Sequence, residues 1–254
     1  MKLKQQTISS ELGKDFPGNV VIESVVSSTQ EMAKQADQTS LQAFLAERQT
    51  SGYGKKARSF YSPSETGLYL SVLLPNIEKG EMNKAGLFTT GLADQIANLL
   101  EEYYPEKKLG VKWVNDVMLD DAKVGGILVE AQIQGNSVSW IVGVGLNLCT
   151  ADFPDDIDRT VGSLDSKKII DRNKLAADLI KTIWHLKSTY QSGDFLSDYR
   201  KRLVLTGKTV TLKLAQENIT GIVKGINNDG QLLIELDNGE IETFNEGEVI
   251  KVQY

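Results

Sequence analysis

Apolar positions recur first with mixed strand and helix periods and then, from Gly207 onward, without any helical period. The first 20 or so residues are polar and weakly patterned and read as a short lead-in. Val20 to Val26 reads as a strand, and Ser28 with Glu31 has the capping-box spacing that opens a helix. Leu41 to Glu47 is a second strand, Gln49 to Pro63 a loop rich in Gly, Lys and Ser, and Gly67 to Leu74 a further strand. Leu87, Leu92, Ile96, Leu99 and Leu100 stand at helical spacing within residues 83–103. Val111 to Leu119 reads as extended. Val124 to Ile133 and Ser137 to Leu148 read as strands joined across Gln134-Gly135-Asn136. Helices are expected over Asn173 to Tyr190 and near Phe195 to Leu203. Beyond Gly207, short apolar strands alternate with the turn clusters Asn227-Asn228-Asp229-Gly230 and Asp237-Asn238-Gly239. This pattern describes an α/β domain, residues 1–203, followed by a small barrel of the SH3 type, residues 204–254.

A chain of 254 residues can hold one large core and a small satellite. Lys and Arg number 28 against 34 Asp and Glu, a formal net charge of −6. That balance argues against the concentrated basic surface that grips a nucleic-acid backbone, so no DNA binding is expected. No run of 18 apolar residues is present, so no membrane-spanning helix is expected, and no apolar stretch follows the first lysines as in a signal peptide. The single cysteine, Cys149, excludes an internal disulfide, and with one histidine, His185, it cannot complete a zinc site. Together these features point to the cytoplasm. His185, among Ile183, Trp184 and Leu186, reads as structural, and the acidic run Asp152 to Asp158 as a solvated loop.

Four segments carry candidate chemistry. In Gln49-Thr50-Ser51-Gly52-Tyr53-Gly54-Lys55-Lys56-Ala57-Arg58, glycines let backbone N–H groups approach a phosphate while the cations balance its charge. It is not a Walker A loop. Taken alone it equally fits a solvated turn. In Lys112-Trp113-Val114-Asn115-Asp116 an amide could read a ring edge and a carboxylate could assist a metal–phosphate unit, or the segment could be a β-turn with a core tryptophan. Lys123, before Gly125-Gly126, either directs an ammonium into a cleft or stands in water at a hairpin tip. Gly143-Val144-Gly145-Leu146-Asn147 lacks the third glycine of a dinucleotide fingerprint; it is a tightly packed strand ending in an unexplained Asn147.

In combination and order these segments resemble the biotin–protein ligase family, from about residue 20 to the C-terminus. Ser28-Thr29-Gln30 looks like its Ser-Thr-Asn. The loop with Gln49, Gly52, Tyr53, Gly54, Lys55, Lys56 and Arg58 looks like its Gln-Thr followed by Gly-Arg-Gly-Arg-x-x-Arg. Trp113 to Asp116 is similar to Trp-Pro-Asn-Asp, Lys123 to Glu130 to Lys-x-x-Gly-Ile-Leu-Val-Glu, and Gly143 to Asn147 to Gly-x-Gly-x-Asn. Phe244 with Gly247-Glu248-Val249 resembles the family's SH3-like end domain. This chain departs at Tyr53 and Lys55, where the family has arginines, at Phe60 for tryptophan and at Val114 for proline. Lys55 keeps a cation without the planar fork of a guanidinium.

The resemblance implies an α/β (α+β) fold: a mixed β-sheet catalytic domain of the class II synthetase and biotin–lipoate ligase type, then an SH3-like barrel. It implies ATP and biotin as substrates, with Mg²⁺ held mainly through phosphates, and a biotin carboxyl carrier protein domain of a carboxylase as partner. A homodimer is compatible with it. Ser28, Thr29, Gln30, Gln49, Gly52, Tyr53, Lys123 and Gly126 would hold biotin; Gly54, Lys55, Lys56, Arg58, Phe60, Asn115 and Asn147 would hold ATP and the adenylate. Lys123, Lys55, Arg58 and Asp116 would be catalytic. A lipoate–protein ligase is the nearest enzymatic alternative. A biotin-responsive DNA-binding repressor and a non-catalytic biotin binder are others. The roughly 20 residues before the first strand fall short of the ~55–65 that an independently folding domain needs.

Overall fold

The computed structural model describes residues 2–135, 137–155, 157, 160–165, 167–168 and 170–253. Asn136 of the expected turn and Asp156 and Asp158 of the acidic run lie outside them. A seven-stranded sheet forms the larger part: β1 (Asn19–Val26), β2 (Gln42–Gln49), β3 (Gly67–Leu74), β4 (Leu109–Lys112), β5 (Asp116–Leu119), β6 (Ala122–Gln134) and β7 (Ser137–Asn147). Its order is β1-β2-β3-β7-β6-β5-β4. The β1–β2 pair is parallel and the other neighbours are antiparallel. β3, central and covered on both faces, is buried at every position, which accounts for its unbroken apolar run.

One face of the sheet carries α3 (Ala85–Tyr103) and α4 (Arg172–Thr189), and the other carries α2 (Thr29–Gln35) over Phe44, Leu73 and Ile141. α3 keeps polar residues in its buried stripe because Thr89 and Thr90 donate back to the carbonyls of Ala85 (2.7 Å) and Gly86 (2.9 Å). α4 begins at Asp171, whose carboxylate accepts from the amides of Asn173 (2.9 Å) and Lys174 (3.4 Å). Ser28 caps α2 by accepting from Gln30 N, while the Glu31 carboxylate turns outward to Lys34 and Tyr53 instead of closing a reciprocal box.

Two expectations change. The lead-in contains a helix, α1 (Gln5–Leu12), whose Ile8 and Leu12 are buried against the core and which packs on α4. Three apolar residues over ten positions, Leu3, Ile8 and Leu12, give too weak a period to read, and the helix draws its stability from packing. The stretch from Val111 to Leu119 is a hairpin, β4 and β5, turning at Trp113-Val114-Asn115.

α5 (Leu196–Arg202) leads into the second sheet, β8 (Thr209–Lys213), β9 (Asn218–Ile226), β10 (Leu232–Glu235), β11 (Ile241–Phe244) and β12 (Glu248–Gln253), antiparallel in the order β11-β10-β9-β8-β12. It is no detached satellite. Val210, Leu212, Val223 and Ile234 belong to the same core cluster as the large sheet, and buried Trp113 donates Nε1–H to the Gly230 carbonyl at 2.9 Å. No helix among the described residues is long and apolar enough to cross a membrane.

Candidate active site

A cleft of about 900 Å³ is lined by β3, β5, β6, β7, the loop after β2, the start of α2 and the first residues of β12. Two groups of side chains line it.

The first group is neutral and fixed, with Thr29, Gln30 and Ser71 buried and Gln49 half-buried. Thr29 Oγ1 lies 2.9 Å from Ser71 Oγ and 3.2 Å from Gln49 Oε1, which also accepts from Thr29 N at 2.8 Å. Gln49 Nε2 donates to Ser62 Oγ (2.9 Å), and Ser71 Oγ donates to Gln30 Oε1 (2.9 Å). Gln30 Nε2 donates to Glu130 Oε2 (2.9 Å) and to the Ile141 carbonyl (3.1 Å). Such an array of preset donors and acceptors suits the polar edge of a small ring. A Cβ on Gly143 would stand 2.6 Å from Gln30 Oε1, so glycine is needed there for Gln30 to reach across β7.

The second group is charged. Lys123 Nζ lies 2.5 Å from Asp116 Oδ1, with side chains 16% and 15% exposed. Lys123 is held from both sides: its strand pairs with β5, and its backbone N–H and C=O bond Thr160 O (3.0 Å) and Gly162 N (2.9 Å). Lys112 donates to the Val249 carbonyl at 3.4 Å. Burial pushes Lys112 below the ordinary lysine range, with Lys123 and Arg58 reinforcing the shift and Asp116 opposing it. Burial likewise lowers Lys55, helped by Lys56 and Arg58 and opposed by Glu246 and Asp116. Arg58 pairs with Glu248 of β12, Lys56 lies 3.9 Å from the same carboxylate, and Lys55 reaches the Gly247 carbonyl at 3.5 Å. Cations crowded in one partly desolvated space repel one another, and an anion with several oxygens relieves that repulsion.

The cationic loop is a short hairpin: Phe60 N–H donates to the Gly52 carbonyl and Gly54 N–H to the Arg58 carbonyl, each at 2.8 Å. Its tip passes through left-handed backbone at Lys56 (φ 60°) and Ala57 (φ 56°). The Phe60 ring packs flush on β7, where a Cβ on Gly145 would stand 2.6 Å from it. Asn115 donates Nδ2–H to the Ile127 carbonyl (2.8 Å). Asn147, 3% exposed, donates to the Gly162 carbonyl (3.1 Å), and its Oδ1 has no hydrogen-bond partner among the described residues.

Of the residues singled out from sequence, Ser28, Thr29, Gln30, Gln49, Tyr53, Gly54, Lys55, Lys56, Arg58, Phe60, Asn115, Asp116, Lys123, Gly126 and Asn147 all line this cleft. Gly52 does not; it forms the base of the loop, where a Cβ would meet Gln49, Phe60 and Ser62 at 2.7–2.8 Å. Sequence reasoning missed Ser71, the one aliphatic hydroxyl in the apolar run of β3 and therefore detectable, and Lys112, whose neighbourhood with Asn115 and Asp116 was the available signal. It also missed Tyr61 and Phe153, whose rings meet edge-on at 6.3 Å; nothing local marks that pair. His185 lies on α4 against the Trp184 ring, at 4.8 Å, and does not line the cleft.

A neutral recognition array beside a set of partly buried cations suits a small polar molecule held next to a phosphate-bearing one. The chain belongs to the biotin/lipoate A/B protein ligase family, whose pattern it matches over residues 21–147, with the biotin protein ligase C terminal domain over residues 205–252. It is 32% identical over 241 residues to the bifunctional ligase/repressor BirA of Salmonella typhimurium, covering 91% of this chain and 74% of that protein. It is 27% identical over 217 residues to the biotin–[acetyl-CoA-carboxylase] ligase of Mycobacterium tuberculosis, covering 82% and 78%. Among solved structures, the biotin protein ligase from Aquifex aeolicus in complex with biotin and ATP superposes with a TM-score of 0.78 at 29% identity, over 91% of this chain and 97% of that one.

Proposed function

We propose that the protein is a biotin–protein ligase that activates biotin with ATP as biotinyl-5'-AMP and transfers the biotinyl group to a lysine of a carboxylase's biotin carrier domain. The observation that carries this reading is the meeting of Lys123, Lys112, Lys55 and Arg58 in one cleft with the neutral array of Thr29, Gln30, Gln49 and Ser71. A biotin carboxylate oxygen attacks the α-phosphorus of ATP, and pyrophosphate leaves with the electron pair of the broken P–O bond. The carrier amine then attacks the acyl carbon, loses its proton, and AMP departs. Both steps are governed by positioning and by charge compensation. Thr29, Gln30 and Gln49 orient the biotin ring; Lys123 bridges carboxylate and α-phosphate; Lys55, Lys56 and Arg58 close over the anhydride and exclude water. Asn147, with its free Oδ1, accepts from the adenine amino group, and Asn115 flanks it.

The described residues contain no group of three or more metal-ligating His, Cys, Asp or Glu side chains. Magnesium would be held chiefly through phosphate oxygens, with Asp116, paired to Lys123, as a nearby carboxylate, and would supply charge neutralisation. A net charge of −6 supports a ligase without operator binding. β1 is an edge strand along which a second copy could pair.

The direct test mixes the protein with ATP, Mg²⁺, biotin and a biotin carrier domain and weighs the carrier. One added biotinyl group, dependent on ATP, is expected. No mass gain, or gain from lipoate in preference to biotin, overturns the assignment.

A further inference from the structure

One polar network at the margin of the cleft runs between the ring-recognition array and the cationic loop. The Tyr53 hydroxyl donates to Glu31 Oε1 at 2.5 Å and accepts from Lys34 Nζ at 2.7 Å. Lys34 Nζ also lies 3.0 Å from Glu31 and 3.1 Å from Glu130, and Glu130 Oε2 is the acceptor for Gln30 Nε2. Three elements thus converge on one phenol: the loop through Tyr53, α2 through Glu31 and Lys34, and β6 through Glu130. Tyr53 sits at the base of the cationic hairpin, bridged to Ser59 across it, so fixing its side chain fixes where Lys55, Lys56 and Arg58 can reach. Burial and then the Glu31 carboxylate push the phenol up to about 12, so it keeps its proton, and hence its donor, throughout the neutral range. Glu31 is held low, first by Tyr53 and then by Lys34, and stays an acceptor.

We propose that Tyr53 is a positioning residue: gripped by Glu31, Lys34 and Glu130, it presets the cationic loop in its closed position and couples that position through Glu130 to Gln30 in the ring-recognition array. The loop is thereby poised before nucleotide arrives, and biotin, by engaging Gln30, feels whether the latch is made. This deepens the ligase reading, since it takes the loop as the cover of the acyl phosphate.

The test uses the full chain with Tyr53→Phe, which keeps the ring and removes the hydroxyl, and Lys34→Met, which removes the ammonium that grips it. Ligand-free protein is digested with trypsin, and the rate of cleavage after Lys55, Lys56 and Arg58 is followed by mass. In both variants that rate is expected to rise on the order of 10-fold, the population shift for losing one charge-assisted hydrogen bond, because cleavage follows the open fraction. The KM for biotin is expected to rise by a similar factor, and in Lys34→Met, which lies outside the residues placed on the substrates, kcat at saturating biotin and ATP stays within about 2-fold of the parent. A general structural defect would lower the melting temperature without producing that KM-against-kcat split. Unchanged cleavage and unchanged biotin KM in both variants overturn the latch, as does a loss confined to kcat. Because the digestion needs no substrate, it reads the latch even if the proposed ligation fails.

Discussion

A Cβ on Gly126 would lie 2.9 Å from Lys123 Nζ, so the lysine owes its course along β6 to the side chain that is missing three residues later. That course delivers the ammonium to Asp116 and into the cleft rather than into water at the hairpin tip. In the proposed mechanism Lys123 is the charge partner of the reacting α-phosphate, and Lys123→Ala is expected to slow biotin-dependent pyrophosphate release by roughly 10²–10³-fold. An unaltered rate takes Lys123 out of the mechanism. Lys55 has a different task, reaching across to Gly247 from the loop. Lys55→Ala is expected to let biotinyl-adenylate escape or hydrolyse faster, measured as free intermediate in a quench without carrier; equal retention would refute the covering role. Lys123 and Lys55 could both be picked out by their glycine neighbours. Ser71 and Lys112 carried weaker signals, residue type in an apolar run and nearness to Asn115 and Asp116, because each belongs, locally, to a strand.

At the scale of elements, β7 does two jobs with two glycines on one face. Gly143 makes room for Gln30, and Gly145, two residues on, makes room for the Phe60 ring. On the proposed roles of Gln30 and Phe60, the strand would separate the supports of the two substrates. Gly143→Ala is expected to raise the KM for biotin about 10-fold while sparing that for ATP, and Gly145→Ala to do the reverse, since each methyl displaces one partner only. Equal effects on both substrates would show that the two supports are not independent. The sheet strands were legible because burial on one or both faces writes itself into the apolar pattern. α1 was not, because its helix depends on α4: Lys4 N–H donates to Asn173 Oδ1 and Asn173 Nδ2–H to the Lys2 carbonyl, contacts some 170 residues apart that no local period can show.

Across the whole molecule, the two sheets are joined by groups with little slack. Trp113 Nε1–H is the donor to a buried Gly230 carbonyl, so Trp113→Phe leaves that acceptor unpaired; it is expected to destabilise the fold by about 1–3 kcal/mol in urea unfolding. No change in midpoint would deny the joint its role. Beneath α5, Asp94 on α3 is 1% exposed and lies 3.4 Å from Arg202, which also grips Glu101. Burial, opposed by Arg202, pushes Asp94 up to about 6. Its folded value stands above that of a free carboxylate. The stability it contributes is therefore complete near pH 4 and is lost as pH rises through about 6. In Asp94→Asn the fall in unfolding free energy between pH 4 and 7 should shrink by roughly 2–3 kcal/mol, and an identical pH profile would refute the assignment.

By itself the sequence determined the periodic elements, the β-only C-terminal region, and the residues whose type is chemically conspicuous: glycines beside cations, an Asn-Asp turn beside a tryptophan, a lysine opening an apolar strand. Those features are local, because propensity, periodicity and charge act within a few residues of chain. Only the tertiary structure decided that Arg58 of the first loop meets Glu248 at the far end of the chain, and that Tyr53 is held by α2 and β6 together. The same holds for the second sheet, which shares the first one's core and helps wall the cleft. Such contacts follow from how apolar faces bury one another, and that is a property of the folded whole.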